Sequence, residues 1–347
     1  SDMAIRYLLE TFGEKGKEVV TVSPSFEMYW VNCSILGLRH VPVSYEADMT
    51  IAIEKILSAI SRDTRIVVLL NPNNPVGNVY TEEELKKGVE TALANSKKKR
   101  FIVEKYMQCD DMGMYYTFKD GYCSASCIYD RYTTDEQQGF SRVCLGGTYP
   151  SKHLDEYFER MHPNALRLFK EIGIKNGVLM LSGFYENGEF YVYDTGFRLQ
   201  GEAPHLLMKA IHGFDQREML IRFALTGSEG DVDLEKDDDT RLRGKWAATL
   251  WFVLKQGKIA KIVGLDEIDK DSRVVANIQR LHEGDEVLSK WIGNEKQVLT
   301  RMYFVCSSKM EMVDTLKYYM NTVKVLDEKG NNLLLNGFDV NKALELK

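Results

Sequence analysis

The chain has 347 residues, which at ~100–200 residues per domain implies two or three domains rather than one small one. Its 45 Lys+Arg against 51 Asp+Glu give a net charge of −6, and a hydrophobic share of 44% excludes disorder as the dominant state. The one basic cluster, residues 97–100, is short, so nucleic acid is not an expected partner: phosphate binding needs clustered Lys and Arg. Apolar runs such as residues 66–70 fall far short of the ~20 residues that cross a bilayer, and the N-terminus lacks a charged-then-apolar signal pattern. A cytoplasmic protein with no membrane partner is expected.

In chain order, residues 3–12 read as a helix, 19–22 as a strand, 25–36 as a helix, 40–43 as a strand, 50–60 as a helix and 65–70 as a strand. Strands alternating with helices imply parallel βαβ units. The loop Asn71-Pro72-Asn73-Asn74-Pro75-Val76-Gly77 then ends the strand at the carboxyl edge, where α/β sheets bind ligands. The texture changes near residue 85. A helix over 81–96 leads to a strand over 100–106 and to antiparallel strands over 115–118, 122–129, 177–184 and 189–193. Lys119-Asp120-Gly121 and Glu186-Asn187-Gly188 are hairpin turn signals.

Helices are expected over 154–161, 165–172, 204–211 and 216–223, and residues 227–239, rich in Gly and acids, read as an exposed linker. Beyond it, 246–255 and 258–263 read as another hairpin, and 298–306, a helix over 310–319 and 323–326 complete a small α+β tail. The expected fold class is therefore α/β plus α+β: a parallel α/β segment (1–84), an antiparallel sheet with helices (85–243) and a small C-terminal α+β unit (244–347). Six cysteines at 33, 109, 123, 127, 144 and 306 form no CxxC pair, so reduced thiols are expected. Cys123 and Cys127, four apart in a strand, are expected on one face of a sheet.

Ser1-Asp2, Pro24-Ser25-Phe26-Glu27-Met28-Tyr29 and the Asn-Pro-Asn-Asn-Pro-Val-Gly loop carry a resemblance. Residues 1–84 resemble the large domain of fold-type I pyridoxal-phosphate aminotransferases, most closely the histidinol-phosphate aminotransferase group. The resemblance implies a phosphate-binding helix start at Ser1 and Asp2, a ring-packing site at Phe26 and Tyr29, and contact from Asn74 to the ring hydroxyl. Transamination also needs a Schiff-base Lys and an acid at the pyridinium nitrogen. Ser96-Lys97, Ser151-Lys152, Ser289-Lys290 and Ser308-Lys309 are all followed by residues unlike the family's lysine turn, so functional pyridoxal phosphate is not expected. With no such lysine turn, a turn-forming role in the proline loop is the favoured reading of Asn74 over cofactor contact.

A second set of residues lies beyond residue 85: Ile102-Val103-Glu104-Lys105-Tyr106-Met107, Asp130-Arg131-Tyr132, and Asp194-Thr195-Gly196-Phe197-Arg198-Leu199-Gln200-Gly201-Glu202. They resemble ATP-grasp enzymes of the carbamoyl-phosphate-synthase and biotin-carboxylase kind. The resemblance implies an adenine-binding hinge at Glu104, Lys105, Tyr106 and Met107, a Mg²⁺ ligand at Asp194, an anion-steadying Arg198 with Glu202 beside it, and a second positive charge from Arg222. Ser182 stands where that family has its first metal-ligand acid, and Gly196 where it has an Asn.

A ligase of this kind phosphorylates a carboxylate and lets an amine displace phosphate, so it must neutralise triphosphate charge, and hard cations need carboxylate oxygens. Read as plain structure, Arg198 and Glu202 are a surface ion pair and Arg222 caps its helix. The leading expectation is an ATP-grasp carboxylate–amine ligase or an incomplete relative, using ATP and Mg²⁺ with small-molecule carboxylate and amine substrates. The alternatives are an aminotransferase-like protein without the Schiff-base lysine, and a non-catalytic nucleotide-binding or assembly module; self-association as a homo-oligomer is left open.

Overall fold

The computed structural model describes residues 2–46, 53–69, 109–135 and 142–344. The chain forms two compact units, Ser1–Tyr106 with Asp135–Arg142, and Met107–Thr134 with Val143–Lys347. Among the described residues no helix is long and apolar enough to cross a membrane. The loop at residues 71–77, the expected helix over 81–96, the strand over 100–106 and the boundary at 84 lie outside the described residues.

In the first unit, α1 (Asp2–Phe12), β1 (Glu18–Ser23), α2 (Met28–Leu36), β2 (Arg39–Ser44), α3 (Ile53–Ala59) and β3 (Thr64–Val68) follow one another. The strands pair in parallel in the order β2-β1-β3, as the strand–helix alternation requires. Central β1 is buried from Val19 to Val22, which fits its run of Val19, Val20 and Val22. Gly37, at φ 65°, closes α2 in the left-handed conformation that a side chain would resist.

The second unit is built on one eight-stranded sheet in the order β12-β14-β9-β6-β5-β4-β7-β8, antiparallel throughout. Its strands are β4 (Asp110–Lys119), β5 (Tyr122–Thr133), β6 (Cys144–Tyr149), β7 (Gly177–Glu186), β8 (Glu189–Gly196), β9 (Trp246–Val253), β12 (Val274–Gln279) and β14 (Val298–Cys306). Asp120-Gly121 and Asn187-Gly188 all have positive φ, so the β4–β5 and β7–β8 hairpins turn where the sequence signals them.

One sheet face packs on α4 (Leu154–Arg160), α5 (His162–Ile172), α9 (Leu265–Asp269) and α10 (Lys309–Thr322). The other packs on α6 (His205–His212) through Leu207, Met208 and Ile211, with α7 (Gln216–Thr226) and α8 (Leu234–Asp237) beyond it. Small two-stranded pairings join β10 (Gly257–Lys258) to β13 (Glu286–Val287), and β11 (Lys261–Val263) to β15 (Lys324–Leu326).

Four expectations are corrected here. Residues 244–347 are not a separate unit, because β9, β12 and β14 extend the sheet begun by β4–β8. The hairpin expected over 246–263 does not form: β9 pairs with β6 and β14, while β10 and β11 turn away to other partners. Residues 227–239 are not an exposed linker, since Glu229, Leu234 and Asp238 are buried, Glu229 bonded to the Gly177 amide, Asp238 to the Ser126 hydroxyl, and Leu234 packed with Phe214 and Met219. Cys123 and Cys127 lie on opposite faces, in different core clusters. The pairing jumps from Tyr115↔Cys127 to Tyr116↔Ala125, so Ser126 is an extra residue, and such a bulge inverts the alternation beyond it.

Candidate functional site

Alternation along β4, β5 and β7 brings Asp111, Arg131, Tyr129 and Ser182 to the face that also carries α6. Register pairs Asp111 with Arg131, Gly113 with both Tyr129 and Ser182, and Arg131 with Gly147. Gly113 is required here: a Cβ on it would lie 2.1 Å from the Tyr129 ring, which therefore uses the space a side chain would fill. Tyr129 also stacks on Tyr149 at 4.5 Å. The segment after β8 folds back over this face. Its Gly201 carbonyl accepts from Arg301 Nη1 at 2.8 Å, its Glu202 carbonyl accepts from the Tyr303 hydroxyl at 3.0 Å, and Arg301 is itself stacked 3.8 Å over Trp251.

At the centre lies Arg131, whose side chain is 8% exposed. Its Nε is 2.9 Å from Glu202 Oε1 and 3.2 Å from Oε2; its Nη1 donates to Asp111 Oδ1 at 3.1 Å and to the Tyr193 hydroxyl at 2.9 Å. Its Nη2 meets the Tyr129 hydroxyl at 3.3 Å and Ser182 Oγ at 3.5 Å. The two tyrosines complete the network, Tyr129 donating to Glu202 Oε2 at 2.6 Å and Tyr193 to Asp111 Oδ1 at 3.2 Å. Gln200 donates to both the Tyr129 hydroxyl and Glu202.

Burial works against the Arg131 charge, but Glu202, Tyr129 and Asp111 more than offset it and hold the guanidinium protonated. Burial raises the Asp111 carboxyl above its ordinary range, opposed by Arg131 and reinforced by Glu202. Burial likewise lifts the Tyr129 and Tyr193 hydroxyls, so both stay neutral donors.

Of the residues singled out in the sequence, Glu202 enters this network, but its partner is Arg131 rather than Arg198. Arg198 is exposed, with Nη1 donating to the adjacent Leu199 carbonyl at 3.1 Å. Asp194 is exposed on β8, opposite Ser182 in the register, so the two share a face. Arg222 lies apart on α7, where it pairs with Glu218 at 3.2 Å on the surface; the end of that helix is capped by Gly227. In the Asp130-Arg131-Tyr132 motif, neighbours face opposite ways. Asp130 accepts from Ser151 and the Lys152 amide, while Tyr132 stacks on Phe338 at 4.3 Å.

Glu104, Lys105, Tyr106, Met107 and Asn74 lie outside the described residues. Tyr29 and Phe26 pack on the first unit's core of Ile5, Leu9, Val19, Cys33 and Leu38. Sequence reasoning missed Asp111, Tyr129 and Tyr193; the spacing Tyr129-x-Arg131 signals a shared face, but their partners come from other strands.

Residues 2–100 match the family Aminotransferase class I and II. The histidinol-phosphate aminotransferase of Flavobacterium johnsoniae is 27% identical over 47% of this chain and 45% of its own length; that of Methanosarcina barkeri is 36% identical over 29% of this chain and 26% of its own. The chain thus spans less than half the length of either relative. Among solved structures, phosphoribosylglycinamide synthetase from Anaerococcus prevotii matches at TM-score 0.57 and 12% identity, covering 90% of this chain and 100% of that one. L-amino acid ligase from Bacillus licheniformis matches at TM-score 0.56 and 15% identity, covering 94% of this chain and 85% of that one. The biotin carboxylase domain of Hydrogenobacter thermophilus 2-oxoglutarate carboxylase, solved with MgADP and bicarbonate, matches at TM-score 0.50 and 15% identity, over 71% of this chain and 53% of that one. The amino-terminal segment is aminotransferase-like and the fold is ATP-grasp-like. At these identities the structural likeness describes the fold alone.

Neither group that these likenesses imply fits the residues described. Among them, no set of three or more His, Cys, Asp and Glu side chains is placed to hold a metal ion. On the Arg131 face the free acid is Asp194, and across from it stands the hydroxyl of Ser182 instead of a second carboxylate. For pyridoxal phosphate, Lys17 sits at the amino end of β1, ion-paired with Asp63 at 2.6 Å, and Lys55, in the first turn of α3, is ion-paired at 2.6 Å with Glu46 just past the carboxyl end of β2, so each ammonium is already held by a carboxylate.

Proposed function

We propose that the second unit is the nucleotide-facing body of an ATP-dependent carboxylate–amine ligase, acting in the cytoplasm on small molecules. The observation that carries this reading is the eight-stranded antiparallel sheet with a dense charged network on one face at the β8 turn, in a chain whose fold resembles a synthetase, a ligase and a biotin carboxylase domain. ATP would supply the phosphoryl group that activates the carboxylate toward the amine. The chain's own part is to orient and neutralise. Arg198, exposed on the turn, is suited to bidentate contact with a phosphate or carboxylate oxygen pair. Glu202, braced by Arg131 and Tyr129, fixes the turn that presents Arg198. Glu104 to Met107 would meet the adenine edge.

The experiment is an ATP-dependent ligation and phosphate-release assay over a panel of small carboxylates and amines. Arg198→Lys keeps the charge but loses the planar fork, so turnover should fall tenfold or more, ~1.4 kcal/mol. Glu186→Gln, at the tip of the β7–β8 hairpin, should leave turnover unchanged. Equal effects from the two substitutions would remove the site from this face.

A further inference from the structure

The guanidinium of Arg131 is surrounded by six protein oxygens: Asp111 Oδ1, both Glu202 carboxylate oxygens, and the hydroxyls of Tyr129, Tyr193 and Ser182, all within 3.5 Å. They lie around three different nitrogens and so match the spread of a guanidinium, but carboxylates and other oxygens are also the donors that a hard divalent cation takes. Here a side chain of the protein stands at their centre. The carboxylates Asp111 and Glu202 are spent on a monovalent charge that cannot leave, and the guanidinium cannot be neutralised by pH.

A Mg²⁺ ion brought to the same face would meet Asp194 and the Ser182 hydroxyl, with Arg131 within hydrogen-bond distance of that hydroxyl repelling it. Mg²⁺ also gives up water reluctantly and demands close octahedral oxygens, which one exposed carboxylate does not supply.

We propose that Arg131 is the resident cation of this face, standing in place of a divalent metal, so that the protein takes up no Mg²⁺ or Mn²⁺ there of its own. This inference rests on reading the Arg131 face as the ligand-facing one, and it is tested with the metal alone, so that its failure and a failure of ATP turnover are read separately. It also accounts for the Ser182–Asp194 pair: with the positive charge supplied by β5, a second acid on β7 would leave the face over-negative.

The test is Mn²⁺ binding to the full chain by electron paramagnetic resonance, with thermal melting in parallel. Wild type should leave the free Mn²⁺ signal undiminished at equimolar protein, and its melting temperature should be the same in Mn²⁺ and in EDTA. Arg131→Gln removes the charge and keeps donors, leaving Asp111 and Glu202 uncompensated. It should melt lower in EDTA, bind Mn²⁺ at least tenfold more tightly than wild type, and regain part of the lost melting temperature in Mn²⁺. Arg131→Lys, which retains a fixed positive charge, should remain indifferent to metal. Stoichiometric Mn²⁺ uptake by wild type that Asp194→Asn abolishes would overturn the proposal, and so would a folded Arg131→Gln protein with no gain in Mn²⁺ affinity. If Arg131→Gln fails to fold even with Mn²⁺ present, the wild-type and Arg131→Lys titrations still decide.

Discussion

Arg131 is held by residues that lie far from it in sequence: Asp111 from β4, Ser182 from β7, Tyr193 from β8 and Glu202 from the segment beyond. A buried charge of this kind is costly when a partner is lost, because what remains is an unpaired ion out of water. Arg131→Met should therefore destabilise the second unit by ~3–5 kcal/mol in denaturant unfolding, since it strands both Asp111 and Glu202. Tyr129→Phe removes one donor to a charged group and should cost less, ~1.5–3 kcal/mol. A neutral outcome for Arg131→Met would mean that water reaches the two carboxylates. The sequence pointed to Arg131 and Glu202 as members of two separate motifs, yet it paired Glu202 with Arg198, four residues away. Local spacing was the only available guide. What decides the partner is strand register, with Gly113 making room for the Tyr129 ring, and register joins residues tens of positions apart.

At the level of elements, the segment from Gly227 to Asp239 shows why an acidic, glycine-rich stretch need not be a loose connection. Glu229 is 4% exposed, and its Oε1 accepts from the Gly177 amide at 3.0 Å, tying this segment to the first residue of β7. Burial, with Asp120 adding to it and the Gly177 amide and Lys119 opposing, lifts its carboxyl from 4.5 to about 7.

A carboxyl with a raised pKa binds more protons folded than unfolded, so its stabilising contribution is complete below pH 4.5 and declines as pH rises toward about 7. Glu229→Gln should remove that decline. Urea unfolding at pH 5 and pH 8 should show wild type losing stability relative to the variant across this window; a variant that loses as much as wild type would assign the pH dependence elsewhere. The strand–helix alternation of the first unit and the two Gly-containing hairpin turns were legible, because short-range chemistry dictates both. β6, with Gly146 and Gly147 in place of β-branched residues, and the Ser126 bulge were not: each exists through its cross-strand partners.

At the scale of the molecule, an aminotransferase-like segment and an ATP-grasp-like body occur in one chain, and each likeness brings a cofactor expectation that the described side chains answer differently. With Lys17 held by Asp63 and Lys55 by Glu46, titration with pyridoxal phosphate should produce no internal-aldimine absorbance. A borohydride-reducible adduct on one specific Lys, with amino-acid turnover, would reverse that. The body's sheet, in contrast, offers an exposed arginine fork on a braced turn, the feature a phosphate chain can engage. Calorimetric titration of the full chain with ATP tests the nucleotide-facing role of this face. Saturable one-to-one binding that Arg198→Lys weakens by about tenfold, ~1.4 kcal/mol, is expected; absence of ATP binding, or binding that Arg198→Lys leaves unchanged, would rule out a nucleotide site on this face.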